Sequence, residues 1–144
     1  MRFQWQEQLT IRIATIKDLA HIFDIADVAF NPSPWPKSVF EHELNSPRSR
    51  YFVTVGGFVG VTQILDEVEI GSVAVHPDYQ QQGIAQALLK KVLTMPDVTR
   101  FLLEVDATNT AAIALYRKLG FEVYHHRKKY YRNGHDALMM AKNV

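Results

Sequence analysis

Residues 73–93, VAVHPDYQQQGIAQALLKKVL, constrain the fold of this chain more tightly than any other segment. The β-branched run ends at His76-Pro77, passes through three glutamines and Gly83, and enters a segment with Ile84, Leu88, Leu89 and Val92 on one side. This spacing predicts a strand that stops short, a polar loop and then an amphipathic helix. A helix entered straight from a strand aims its unpaired backbone N–H groups, and the positive end of its dipole, at whatever lies beyond the strand tip. Gly83 adds no side chain there, so a phosphate or pyrophosphate can approach the backbone closely. The same glycine also suits a tight βα turn with no ligand, and the loop alone leaves both readings open. A P-loop needs Gly-Lys-Ser/Thr at the helix start, which Gly83-Ile84-Ala85-Gln86 lacks. A dinucleotide fingerprint needs three spaced glycines where this loop has one, although Glu104 lies where that fingerprint puts its acid. Both motifs are rejected.

Upstream, Leu9, Ile11 and Ile13 alternate with Thr10 and Arg12, which predicts a half-buried strand. Thr15 is placed to cap a helix, with Asp18 three residues on, and Leu19, Ile22, Phe23 and Ala26 keep helical spacing. NPSPWP breaks the pattern, and Lys37–Leu44 reads as a second, short helix. RYFVTVGGFVGVTQIL reads as two strands across Gly56-Gly57, and Glu67–Val75 as a further strand. Downstream, RFLLEV is a short buried strand. NTAAIALYRKLGF is a helix with Ala112, Leu115, Tyr116 and Leu119 on one stripe and Gly120 as its stop. Two last strands, FEVYHHRKKYY and DALMMAK, meet through residues 132–135, where Asn133-Gly134 is a strong hairpin signal. The order β-α-α-β-β-β-α-β-α-β-β predicts one α/β domain over residues 1–144, with a mixed, mostly antiparallel sheet and a parallel βαβ step at its centre.

A chain of 144 residues suits one domain, and a domain of this size buries about 70% of the surface its unfolded chain exposes. Its net charge of +1 carries no field of the kind that draws nucleic acid or anionic membranes, although His125-His126-Arg127-Lys128-Lys129 is locally basic. With no cysteine there is no disulfide, thiolate metal site or cysteine nucleophile. His21, His42, His76, His125, His126 and His135 show no metal-ligand spacing, and no metal site is expected. MRFQWQEQL has no apolar run of signal-peptide length, and nowhere is there a stretch of about 18 apolar residues. The expectation is a soluble, cytoplasmic protein, a monomer or weak dimer.

Two blocks bring a resemblance. Gln80-Gln81-Gln82-Gly83-Ile84-Ala85, preceded by VAVHPDY, matches a Gln-x-x-Gly-x-Ala pattern. LEVDATNTAAIALYRKLGFE matches N-x-x-A-x-x-L-Y-x-x-x-G-F. Together with the opening IRIATIKDLAHI, from about Ile11 onward, the chain resembles the GNAT superfamily of N-acetyltransferases. Within it, Leu103-Glu104-Val105, NTAAIALY and the ending RKKYYRNGHDALMMA are most similar to the bacterial ribosomal-protein-alanine N-acetyltransferases, the RimI type. AFNPSPW departs from that group's AFPW by inserted residues, at the place where an acceptor would enter.

The resemblance implies a GNAT-like fold with about four helices on the faces of its sheet, and acetyl-CoA as cosubstrate. It places the pyrophosphate on the backbone of Gln81, Gln82, Gly83, Ile84, Ala85 and Gln86. It places the pantetheine arm on Val73, Ala74 and Val75, added like a strand, with the Val73 N–H polarising the thioester carbonyl. Without the resemblance Val73 and Val75 read as core. The resemblance also makes Glu104 the proton acceptor, Tyr116 the proton donor to the departing sulfur, and Asn109 a pantetheine contact. From the residues alone, Glu104 reads as a strand-end surface carboxylate, Tyr116 as a core aromatic and Asn109 as a helix N-cap. Arg127, Tyr130 and Tyr131 either line an acceptor groove or form an ordinary aromatic sheet edge.

An α-amine with pKa near 7.8 is neutral in roughly one molecule in seven at pH 7, and a lysine near 10.4 in roughly one in 2,500. A modest carboxylate base therefore suits an N-terminal amine better. The resemblance implies direct acetyl transfer to a protein N-terminal α-amine, such as that of ribosomal protein S18. A small-molecule amine, a lysine side chain and a non-catalytic acyl-CoA-binding module are the alternatives.

Overall fold

The computed structural model describes residues 9–144; all of MRFQWQEQL except Leu9 lies outside the described residues. The observed strands are β1 (Arg12–Ile13), β2 (Ser49–Thr54), β3 (Gly57–Ile64), β4 (Glu67–Val75), β5 (Arg100–Asp106), β6 (Glu122–Arg127) and β7 (Ala137–Asn143). The helices are α1 (Leu19–Phe30), α2 (Lys37–Leu44), α3 (Ile84–Val92) and α4 (Thr110–Lys118). Their order along the chain is the predicted one. The strands hydrogen-bond in the order β1-β2-β3-β4-β5-β7-β6. The β4–β5 pair is parallel, and β1–β2, β2–β3, β5–β7 and β6–β7 are antiparallel. Two compact units divide the chain: one holds the described residues up to Thr62 together with Ser72–Met95, the other Gln63–Gly71 and Pro96–Val144.

In the first unit, α1 and α2 close over one face of the strands. Ile22, Ile25 and Ala26 of α1 and Phe40 of α2 pack with Tyr51, Val53, Phe58 and Ala74. Phe40 sits edge-on to Trp35, Tyr51 and Phe58 at 5.9–6.1 Å, an arrangement that fixes the ring as well as burying it. The β2–β3 turn differs from the two-glycine reading. Thr54 pairs with Gly57, so the loop is Val55–Gly56, and Gly56 takes the positive φ of 70°. Gly57 belongs to β3, and a Cβ there would meet Ile84 Cγ2 at 2.8 Å and Leu88 Cδ1 at 3.2 Å. It is kept small by helix packing rather than by the turn.

The predicted first strand also shrinks. Both residues of β1 are exposed, Ile13 included, because the chain already turns at Thr15 into a short 3-10 segment, Ile16–Asp18, that leads to α1. Thr15 Oγ1 accepts from Lys17 N, and the Asp18 carboxylate accepts from Thr15 N at 2.8 Å. Arg12 grips the same carboxylate with both terminal nitrogens, at 2.6 and 2.9 Å. The Arg12 hydrogen bonds, against the opposing pull of burial, hold Asp18 at a pKa of about 2.

In the second unit, β5 runs antiparallel to β7 along its whole length, and β7 carries β6 on its far side. Val68, Ile70, Phe101, Leu103, Val105, Phe121 and Met140 are buried. The predicted last hairpin is corrected. β6 ends at Arg127 and β7 begins at Ala137, so Asn133-Gly134 is a local turn inside a longer connection, not the loop of a tight hairpin. Beyond the last pair, Arg127↔Ala137, the Asp136 carboxylate accepts from His126 Nε2 at 2.7 Å and from Lys129 N at 2.9 Å, with Lys129 at φ 51°. Among the described residues no helix is long and apolar enough to cross a membrane.

Asp18→Asn should lower unfolding stability by about 1–3 kcal/mol at pH 7, the range for charged hydrogen bonds. Because the folded pKa is depressed below the ordinary 3.8, this contribution is present above about pH 4 and is lost as pH falls through about 2. Urea titrations of both proteins from pH 7 to 2 should show the two stabilities converging.

Candidate active site

The first unit supplies backbone. After β4 the His76 N–H donates to Gly56 O at 2.7 Å, tying the strand end to the β2–β3 turn. The 3-10 turn Pro77–Tyr79 follows, capped where His76 Nδ1 accepts from Asp78 N. Gln80 Nε2 donates back to Val75 O at 3.0 Å, and Gln81 takes a positive φ of 61°. Gly83 is the N-cap of α3 at φ 81°, and it gives the helix no side-chain cap. The first amides of α3 are therefore not covered from their own cap residue. Ile84, Leu88, Leu89 and Val92 are buried and fix the helix axis, while Lys90 and Lys91 sit at its negative end.

The predicted strand segment is only partly core. Ala74 is buried, whereas Val73 and Val75 are half-buried. The register of β4 with β5 runs from Glu67↔Arg100 to Ile70↔Leu103 and no further. From Gly71 to Val75, β4 carries main-chain groups that β5 does not pair.

The second unit supplies side chains. Glu104 is exposed although Leu103 and Val105 on either side are buried, the alternation a strand imposes. Its neighbour Tyr130 has its phenol raised above the ordinary value, chiefly by a hydrogen bond to the Glu104 carboxylate and then by its charge. The Tyr131 phenol is raised by burial first and then by the carboxylates of Glu104 and Asp106. Tyr116, 7% exposed, stands edge-on to Phe121 at 6.0 Å, and burial raises its phenol too. Asn109 caps α4 through Oδ1, which accepts from Ala112 N at 3.1 Å, leaving its side-chain NH2 outside the cap.

Sequence reasoning missed Asp106 and His135. The Asp106 carboxylate accepts from Thr108 N at 2.9 Å, Thr108 Oγ1 at 2.8 Å and His135 Nδ1 at 2.7 Å. These bonds, led by the Thr108 N–H, hold it at a pKa of about 2. A sequence signal did exist, since Asp106 lies two residues past Glu104 and so shares its face. Nothing local ties it to His135.

Glu104, Asp106, Tyr116, Tyr130 and Tyr131 thus form one cluster in the second unit. The first unit carries a helix start to which Gly83 gives no side-chain cap. Residues 17–121 match the acetyltransferase (GNAT) family, and the chain belongs to it. It is 33% identical over 148 residues to the N-alpha-acetyltransferase RimI of Mycobacterium tuberculosis, covering 95% of this chain and 94% of the relative. It is 37% identical over 118 residues to the ribosomal protein bS18-alanine N-acetyltransferase of Escherichia coli K12, covering 75% of this chain and 80% of the relative. The crystal structure of the ribosomal-protein-S18-alanine N-acetyltransferase from Escherichia coli superposes with a TM-score of 0.87 at 33% identity, covering 95% and 94% of the two chains.

Gly83→Ala should cost about 1–2 kcal/mol in folding stability, because an L-residue at φ 81° brings its Cβ against the following carbonyl. Thermal unfolding of the two proteins checks this.

Proposed function

We propose that this acetyltransferase transfers the acetyl group of acetyl-CoA directly to the N-terminal α-amine of a protein, with ribosomal protein S18 as the model acceptor. The observation that carries the acceptor is likeness to an S18-alanine N-acetyltransferase structure over 95% of the chain. The inserted residues of AFNPSPW are the feature against which that likeness is to be tested.

The coenzyme fits the residues present: the amides from Gln81 to Gln86 face no side-chain cap from Gly83, and the charge they favour is negative. Val73, Ala74 and Val75 offer main-chain groups for the pantetheine arm, and the Val73 N–H is the donor for the carbonyl oxygen. The Asn109 amide, with Oδ1 occupied as a cap, has N–H donors for the same arm. When bound, acetyl-CoA supplies an activated acyl carbon on a thiol leaving group.

Glu104 takes the proton that the acceptor ammonium must lose before its nitrogen attacks. An exposed carboxylate reaches that proton directly or through one water. Tyr116 gives its phenolic proton to the sulfur as the carbon–sulfur bond breaks and the carbon–nitrogen bond forms, and the second proton that the nitrogen sheds on becoming an amide restores the phenol. An ordinary phenol loses about 2 kcal/mol in that exchange with a thiolate, and burial of Tyr116 widens the gap. The same burial keeps Tyr116 protonated throughout the working pH range, so the donor is always loaded.

Glu104→Gln should leave coenzyme affinity within about twofold and lower turnover by about 10²–10⁴. Mass spectrometry of an acceptor panel with acetyl-CoA, comprising N-terminal peptides, lysine peptides and small amines, should show the N-terminal peptides modified first. Preference for a small amine would reassign the acceptor, and normal turnover by the glutamine variant would remove Glu104 from its role.

A further inference from the structure

The connection between β6 and β7 carries Tyr130 and Tyr131, and two aspartates pin it. Asp136 holds its beginning, through His126 Nε2 and Lys129 N. Asp106 holds its end, through His135 Nδ1 at 2.7 Å. Between the pins, Tyr131 N donates to His135 O, Gly134 N to Tyr131 O and His135 N to Asn133 Oδ1. His135 is therefore bonded to Tyr131 through its main chain and to β5 through its ring.

Asp106 is an ionised carboxylate and can only accept, so His135 Nδ1 must carry the hydrogen. The Thr108 N–H and hydroxyl occupy the other Asp106 oxygen, which leaves the carboxylate fixed in orientation. Asp106 lies two residues beyond Glu104 on the same strand face. The ring of His135 thus ties the tyrosine-bearing turn to the stretch of β5 that holds the base. Tyr131 is half-buried and meets Tyr130 edge-on at 5.2 Å, and the Arg127 guanidinium stands 5.4 Å from the Tyr130 ring centre.

We propose that His135 is a positioning residue for acetyl transfer: its Nδ1–H bond to Asp106 sets the Tyr130–Tyr131 turn against the Glu104 face of β5, and so sets how the acceptor amine is received. The proposal rests on the reading of Glu104 as base. It assigns His135 no proton transfer and no contact with substrate.

The test separates the two ring nitrogens. An asparagine places an N–H where the imidazole has Nδ1–H, whereas a glutamine places its amide nearer the Nε2 position. With the best acceptor from the panel, His135→Ala and His135→Gln should raise the acceptor KM about tenfold, the effect of losing one charged hydrogen bond. The KM for acetyl-CoA should stay unchanged, and hydrogen exchange should quicken over residues 128–136. His135→Asn should recover the acceptor KM to within about threefold. An unchanged acceptor KM in His135→Ala overturns the proposal alone. So does a loss of turnover that His135→Gln rescues better than His135→Asn, since that would make Nε2 a proton carrier. Equal rises in both KM values with a lowered melting temperature would also overturn it, as a merely structural role. Normal turnover in a parallel Glu104→Gln measurement would instead fail the underlying reading, and wild-type inactivity on every acceptor would fail both.

Discussion

β5 is held along its full length by β7 but paired by β4 only as far as Leu103. That change of partner comes one residue before Glu104 and three before Asp106. Where one ladder stops, β5 keeps the support that β7 gives while its other edge is no longer paired by β4, and Glu104 and Asp106 lie on this stretch. The Asp106 carboxylate, turned back on Thr108, ends the strand and starts the approach to α4. Asn109 then caps that helix and Tyr116 follows two turns later on its buried side. The proposed base and acid therefore come from one continuous strand–cap–helix unit. Few degrees of freedom separate them.

In the proposed reading the other unit works through main chain rather than side chains. Gly83 is left-handed, Gln81 is left-handed, and Ile84 anchors the helix that follows. What this loop offers is a set of oriented amides, which suits a diphosphate that varies little. In the proposed reading the acceptor, by contrast, meets the Glu104 carboxylate and the Tyr130 and Tyr131 phenols, on a turn that the His135 ring holds to Asp106.

How far the sequence was legible follows the same division. Lys37–Leu44 and Glu67–Val75 were read with the boundaries the structure shows, because apolar periodicity and flanking Pro or Gly act locally. The βα step at Gly83 was legible for the same reason. β1 was misread because alternation signals a strand without saying whether its face is covered, and Ile13 is exposed. Gly57 was taken for a turn residue because its true constraint, the contact with Ile84 and Leu88, comes from a helix far along the chain. The last hairpin misled in the other direction: Asn133-Gly134 makes its turn, but the β6–β7 ladder has already ended at Arg127↔Ala137. Glu104, Tyr116 and Asn109 were singled out by family resemblance and not by periodicity, which gave each a bland role. The bond from Asp106 to His135 joins residues with no shared local pattern, so only the fold reveals it.

Burial also explains how one cluster can hold the proposed base and the proposed acid without their exchanging roles. Glu104 and Tyr116 lie on elements joined by a short cap, yet one is open to water and the other is 7% exposed. Removing a phenol from water penalises its anion, so Tyr116 is held as the neutral donor. Tyr130 and Tyr131 reinforce the split, since negative charge on Glu104 disfavours ionisation of each. The phenols around the carboxylate are thereby fixed as donors, and the Asp106 carboxylate is already engaged by Thr108 and His135. In the proposed reading that leaves Glu104 to take the proton of an arriving ammonium.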